Sequence, residues 1–547
     1  MTTRRESIEP LFRTLLAVQS DTNTVFEKNI EEIILSWLKA RPYFQKHHNL
    51  LGTRPIFNDP HRREVVWAMV RGRGSATVVL IHHHDAIDIE EYGRLKGCAL
   101  RPDELQAELA TRNIGKSARR DLESGEWLFA RGSADMKAGA AIQLALLEEF
   151  SEIKDFAGNI LLLSVPDEES ISKGMLSATE LMVELREEHG LEYVLTINCE
   201  PYFNQVKDKA IMYEGSVGKI MPVVFVKGVK SHISEPFSGV SPSLILAGIQ
   251  NLSELNVKLC DKVGEDATPP PIWVNLKDRK KAYDASIPDA ASGYFNWLTF
   301  TRSPSAIMKT MLEISQQAVD SVMHRMQSSF DEFCRLNNDE PEPLEFTPRV
   351  LDFKTLYDMA VQKGGDKFVA AYEKVQEEIN DILQSNSIVL PEATTRLIEF
   401  TVDYLDLEGP AVIVAISGPY YPHVANLLLP DGNRFKLAER VDAVSRERFG
   451  VEYVSKAYFM GISDLSYAAW VGNDDDIALI KSNSPGWDNL YRIPFKAVKS
   501  LQMPVVNIGP WGKDLHKVTE RVYLKDVYER VPHILFSIID EVITAVA

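Results

Sequence analysis

Histidines and carboxylates stand at five places in this sequence where an apolar run ends or a helical pattern begins. Residues 77–81 lead into His82-His83-His84-Asp85, and residues 159–165 lead into Pro166-Asp167-Glu168-Glu169. Residues 193–197 lead into Asn198-Cys199-Glu200-Pro201, and residues 504–508 lead into a loop that reaches His516. Asp135 lies between Arg131-Gly132 and a helical pattern beginning near Met136, where it could also cap the helix. Each of these has an ordinary explanation: a surface histidine run, a solvated acidic loop, a cap. Their conjunction points further, because carboxylates gathered without a cation repel one another and resist ionisation. Two imidazoles and three carboxylates suit zinc, or cobalt or manganese in its place. Two divalent ions bring four positive charges; three carboxylates and a bridging hydroxide cancel them. Such a hydroxide is the nucleophile that a hydrolase needs at neutral pH.

The elements that must position these residues can be read from periodicity. Apolar spacing predicts helices over residues 27–40 and 136–150, and short apolar runs at 65–70, 77–81, Asn159–Val165 and 193–197 predict buried strands. The Arg71-Gly72-Arg73-Gly74 stretch predicts a hairpin between the first two of these runs. Strands alternating with helices imply an α/β domain with a mostly parallel sheet, whose function collects at the carboxyl ends of its strands. Near Glu214-Gly215 the rhythm changes. A strand at 219–227 and a helix at 241–255 are followed by the Ala-Thr-Pro-Pro-Pro break at 267–271, then by long amphipathic helices over 303–385. After Pro430 the α/β pattern returns, with a helix at Leu437–Phe449, strands at 457–460 and 504–508, and a terminal helix from Val527. The expected organisation is an α/β catalytic domain in two segments, 1–215 and 431–547, interrupted by an inserted domain at 216–430.

The chain has 547 residues, 45% of them hydrophobic and 25% charged, which is too long for one ordinary core and fits a globular protein of at least two domains. A formal charge of −18 counts against nucleic acid as a partner, since phosphate binding needs a basic face. No apolar run approaches a membrane span, and none follows Arg4-Arg5 as in a secretory signal. The four cysteines are widely spaced with no C-x-x-C pair, so a disulfide framework and a cysteine zinc site are both disfavoured and a reducing cytoplasm fits.

Read in order, the motifs become recognisable. They are H-x-D at His83-His84-Asp85, R-G-S-A-D-M-K-A-G at 131–139, D-E-E at Asp167-Glu168-Glu169, E-P at Glu200-Pro201, and a late G-P…H…E at Gly509, His516 and Glu520. Together they resemble the zinc peptidase family that contains aminoacylase, glutamate carboxypeptidase and succinyl-diaminopimelate desuccinylase. Size and the long insertion make the chain most similar to the RocB-type arginine-utilisation proteins.

The resemblance implies a zinc-exopeptidase-like catalytic fold and an inserted α+β lid and dimerisation domain, here enlarged by helices. It implies a di-metal amidohydrolase acting on a small-molecule or short-peptide substrate. His83 and Glu200 would hold one ion, Glu169 and His516 the other, and Asp135 would bridge them. Asp85 would fix the tautomer of His83, and Glu168 would be the general base. His232, in Lys230-Ser231-His232, resembles the insertion-domain histidine that stabilises the oxyanion across a homodimer. Gly461-Ile462-Ser463-Asp464 resembles the family's glycine-rich turn with an Asp near the site. One departure stands out: residues 411–428 contain no arginine to hold a substrate carboxylate, which puts carboxypeptidase specificity in doubt. Two other readings remain open at this point. One is a non-catalytic binding protein on the same scaffold; the other is an amidohydrolase acting on carbamoyl or ureido C–N bonds.

Overall fold

The computed structural model describes residues 4–203 and 209–546. Its backbone falls into two units, one of Met1–Val217, Val424–Val471 and Pro494–Ala547, the other of Gly218–His423 and Gly472–Ile493.

The first unit is built on an eight-stranded sheet. Its strands are β1 (Leu51–Pro55), β2 (Glu64–Val70), β3 (Ala76–His83), β4 (Asn159–Val165), β5 (Glu192–Asn198), β6 (Ala210–Tyr213), β7 (Tyr453–Lys456) and β8 (Val505–Asn507). They lie in the order β1-β2-β4-β3-β5-β8-β6-β7. The centre is parallel: β3 pairs in that sense with both β4 and β5, and β8 pairs in that sense with β5. Every residue of β3 and β4 is buried, as expected of a sheet covered on both faces. Alternation divides β3 between two layers. Val78 and Leu80 join a core with Leu144 and Leu147 of the helix Ala138–Ser151 and with Ile538 and Val542 of the helix Val531–Val546.

Two elements differ from the expected pattern. β2 and β3 do not form a hairpin, because β4 is seated between them, antiparallel to β2 and parallel to β3. The connecting turn spreads to admit it: Arg73 N–H donates to Phe156 O at 2.9 Å and Gly74 N–H to Ala157 O at 2.7 Å. A Cβ on Gly72 would lie 2.1 Å from Gly158 O, so the glycines that suggest a tight turn instead allow a close crossing. The strand expected at 457–460 is displaced to β7, which pairs parallel with β6. The following residues leave the sheet and lead to the short 3-10 turn Asp464–Tyr467.

The second unit has a five-stranded sheet in the order Ile272–Asp278, Ala290–Thr299, Gly218–Lys227, Ala411–Tyr421, Arg349–Asp352. Helices Pro304–Asn337, Phe353–Gly364, Asp366–Gln384 and Leu390–Leu405 enlarge it. The last three meet through an aromatic cluster of Tyr357, Phe368, Tyr372, Phe400 and Tyr404. The chain is thus an α/β fold with an inserted domain, and among the described residues no helix is long and apolar enough to cross a membrane.

Candidate metal centre

Three parallel strands of the first unit, β3, β4 and β5, deliver chemistry at their carboxyl ends, where open α/β sheets place ligands. His83 is the last residue of β3, Glu168-Glu169 follow β4 after a two-residue turn, and Glu200 follows β5 by two positions. Asp135 lies in an irregular turn before the helix Ala138–Ser151; it does not cap that helix, whose N-cap is Lys137. His516 lies in the loop between two short strands, Gly512–Lys513 and Arg521–Tyr523.

These residues converge. His83 Nε2 stands 3.1 Å from Asp135 Oδ1 and 3.2 Å from Glu200 Oε1. His516 Nε2 stands 3.2 Å from Asp135 Oδ2 and 3.1 Å from Glu169 Oε2. Asp135 therefore presents one oxygen to each ring. Glu168 groups with His83 and Glu200, their ligand atoms lying within 4.8 Å of one another.

The arrangement calls for cations. His83 Nδ1 is 3.0 Å from Asp85 O, a carbonyl that can only accept, so Nδ1 carries the proton. In neutral imidazole the lone pair is then on Nε2, and it faces two carboxylate oxygens. Only a second proton or a metal ion at Nε2 makes that contact attractive. Burial, with Asp135 beside both, pushes the Glu169 carboxyl up to about 7 and the Glu200 carboxyl up to about 8. Hydrogen bonds to Asp135 and Glu169 raise His516 to about 10, and the facing carboxylates raise His83 against the lowering effect of its burial. Divalent ions binding at the two Nε2 atoms would displace any protons held there. The donor set of two ring nitrogens and several carboxylates fits that exchange.

The surroundings fix these atoms. Asp85 Oδ1 accepts the Glu168 N–H and Oδ2 the Glu169 N–H, each at 3.1 Å. Its backbone carbonyl is the nearer partner of His83, with the carboxylate 3.5 Å from Nδ1. Glu520, which the sequence motif contains without a role, accepts the Ala134 N–H at 3.1 Å and an Arg131 Nη1 hydrogen at 2.8 Å. Arg131 Nη2 also donates to His516 O at 3.1 Å, so this buried pair ties the Asp135 turn to the His516 loop. Gly509 permits β8 to approach β5, for a Cβ there would lie 2.1 Å from Glu200 O. Asp464 is fully buried and its carboxyl is raised to about 7 by burial, partly offset by Ser172 and His83; its charge in turn helps raise Glu168.

His82 and His84 point elsewhere, to Gln143 Oε1 and Ser164 Oγ, each at 2.9 Å. Burial keeps both neutral, lowering them to about 4 and about 3. His232 is a residue of the second unit, exposed on the loop after the strand Gly218–Lys227. Its Nδ1 accepts the Ser234 N–H at 3.2 Å, so in the neutral ring the outward Nε2 is a donor.

Residues 116–540 match the profile of "Peptidase family M20/M25/M40". The chain is 32% identical over 538 residues to the protein YqjN of Bacillus subtilis, covering 97% of this chain and 95% of that one. It is 29% identical over 540 residues to the protein RocB of the same organism, covering 96% and 93%. A succinyl-diaminopimelate desuccinylase of Burkholderia multivorans is 32% identical over 179 residues, 32% of this chain and 45% of the relative. Among solved structures, an M20 family metallo-carboxypeptidase from Sulfolobus solfataricus aligns over 98% of this chain and 99% of its own, with a TM-score of 0.53 at 11% identity. The aminopeptidase PepT of Bacillus cereus aligns over 99% of each chain with a TM-score of 0.51 at 12% identity. These two likenesses concern the fold.

Proposed function

The chain belongs to peptidase family M20/M25/M40, and from that premise we propose that it is a two-metal hydrolase cleaving an amide bond, peptide or N-acyl, in a small amino-acid-like substrate. The observation that carries this reading is the Asp135 carboxylate set between two histidines, each facing a second carboxylate. His83 and Glu200 would hold one ion, Glu169 and His516 the other, with Asp135 shared. Zinc suits these donors best, and cobalt or manganese could substitute.

When bound, the ions supply Lewis acidity for the scissile carbonyl and lower the pKa of water. The remaining work belongs to this chain's side chains. Glu168, held by its own N–H on Asp85, takes a proton from the attacking water and returns it to the leaving nitrogen. Its carboxyl lies well above the usual range because of burial and its acidic neighbours; nearby cations bring it back toward the ionised form a base needs. His232, with an outward Nε2 donor, is the proposed oxyanion partner.

The proposed domain division is 1–215 and 431–547 for catalysis and 216–430 for a lid that also pairs two copies. In support of pairing, the edge strand Ile272–Asp278 exposes alternate apolar residues, Ile272 (42%), Val274 (56%) and Leu276 (39%). A cytoplasmic role in arginine or amino-acid catabolism is proposed from the resemblance to RocB-type proteins.

The test is hydrolysis of a panel of dipeptides, N-acyl amino acids and ureido compounds, followed by mass spectrometry, with zinc-, cobalt- and manganese-loaded protein. A product formed by the native chain and absent with Glu168→Gln is the expected result. Protein that carries two metals yet cleaves nothing, or protein that binds none, would count against the assignment.

A further inference from the structure

Arg63 is fully buried, yet it faces three carboxylates. It stands at the end of the connection between β1 and β2, in a stretch with none of the motifs that mark the site. Its Nη1 donates to Glu27 Oε1 at 2.5 Å and to Asp167 Oδ1 at 2.7 Å; its Nη2 donates to Asp59 Oδ1 at 2.6 Å. Asp167 immediately precedes Glu168-Glu169.

The hydrogen bonds of Asp167 show what this grouping restrains. Its carboxylate takes Arg63 on one oxygen and the Lys173 N–H on the other, at 3.2 Å. Its own N–H donates to Glu27 Oε2 at 2.8 Å, and its carbonyl accepts from Ser172 N–H at 2.7 Å. The residue sits in the left-handed region with φ 71°, a conformation that a non-glycine residue keeps only where its surroundings over-determine it. The next two N–H groups both donate to Asp85. The turn carrying Glu168 and Glu169 is thus gripped from two sides: by Asp85 through their own amides, and by Arg63 and Glu27 through the preceding residue.

A solely structural ion cluster could lie anywhere in the unit; this one closes on the residue next to the proposed base. Misplacing a reacting group by about 1 Å costs on the order of 10²-fold in rate. We propose that Arg63, acting through Asp167 and seconded by Glu27, is the positioning residue for the Glu168-Glu169 pair. The inference rests on the catalytic and ligand roles proposed for those two glutamates.

Asp167→Asn is the first variant, since it keeps volume while weakening the grip; Arg63→Lys keeps the charge and loses the two-pronged fork. Cobalt(II)-loaded protein is examined by visible absorption, with metal content measured by mass spectrometry and kcat and KM on whichever substrate the panel identifies. The expected result for Asp167→Asn is folded protein with two metals, a shifted cobalt band, kcat lowered roughly 10–100-fold and KM within about twofold. Arg63→Lys should fall between it and the native chain. A native cobalt spectrum together with native kcat in folded Asp167→Asn overturns the proposal. If that variant does not fold, Arg63→Lys decides by the same readouts. Glu168→Gln is run in parallel: if it keeps full turnover, the catalytic reading of Glu168 falls, while the cobalt band still judges the grip on Glu169.

Discussion

The two histidines of the cluster share one bridging carboxylate but live in unlike surroundings. The His83 side chain is 0% exposed and Glu200 beside it 5%, whereas His516 is 48% exposed and its neighbour Glu169 is 8%. His83 ends a central strand and is held at both nitrogens. His516 sits in a loop with φ 65°, tied down through its backbone carbonyl to Arg131. One half of the site is made by the sheet and the other is closed over it by a loop. A metal in the first half should exchange slowly and one in the second half more readily.

The largest expected effect concerns the proposed base, which stands next to Glu169 in sequence but with the other half in space. Glu168 follows the same strand as Glu169 yet groups with His83 and Glu200. Glu168→Gln should lower kcat by roughly 10²–10⁴-fold with two metals retained, read by turnover and metal analysis. Asp135→Ala should reduce the content of both metals, and a variant that still binds two would remove the bridge that joins the halves. Next comes the contrast itself. His83→Ala should lose its metal and destabilise the fold by about 3–5 kcal/mol, since it leaves buried carboxylates without a partner. His516→Ala should lose one metal with a Tm close to native, because the group is half-exposed. Equal Tm losses in thermal melts would break the comparison. The smallest effect is kinetic: a chelator should take one metal well before the second, and a single-phase loss of both would show that the halves act as one.

How much of this could be read beforehand depended on whether the cause was local. His83, Glu169 and Glu200 were legible because an apolar run ending in a ligand type is a feature of a few adjacent residues. Asp135 and His516 stood out by position too, though farther from any strand end, and the pairing of the two histidines across one carboxylate is a fact of three-dimensional convergence. Glu520 stood in the motif without a role, since its partners Arg131 and Ala134 lie far back in the chain. Arg63 and Glu27 carried no local signal at all, because a lone arginine before a strand is ordinary until its burial is known. The hairpin expected at residues 71–74 failed for the opposite reason. Its local signal was good, and a strand from some eighty residues later claimed the space between.

The seat of β8 has a consequence for how this protein is made. Val505 pairs with Thr196 in the middle of the sheet, across more than half of the chain length. A contact of such high sequence separation forms slowly, and on the ribosome it must wait for the segment that carries β8 to emerge. Until then β5 lacks its β8 neighbour and offers an unpaired edge to other chains. The loop bearing His516 follows directly behind β8, so sheet and cluster are completed by the same late event. A chain released before that segment emerged would lack both the β8 pairing and the His516 half of the cluster.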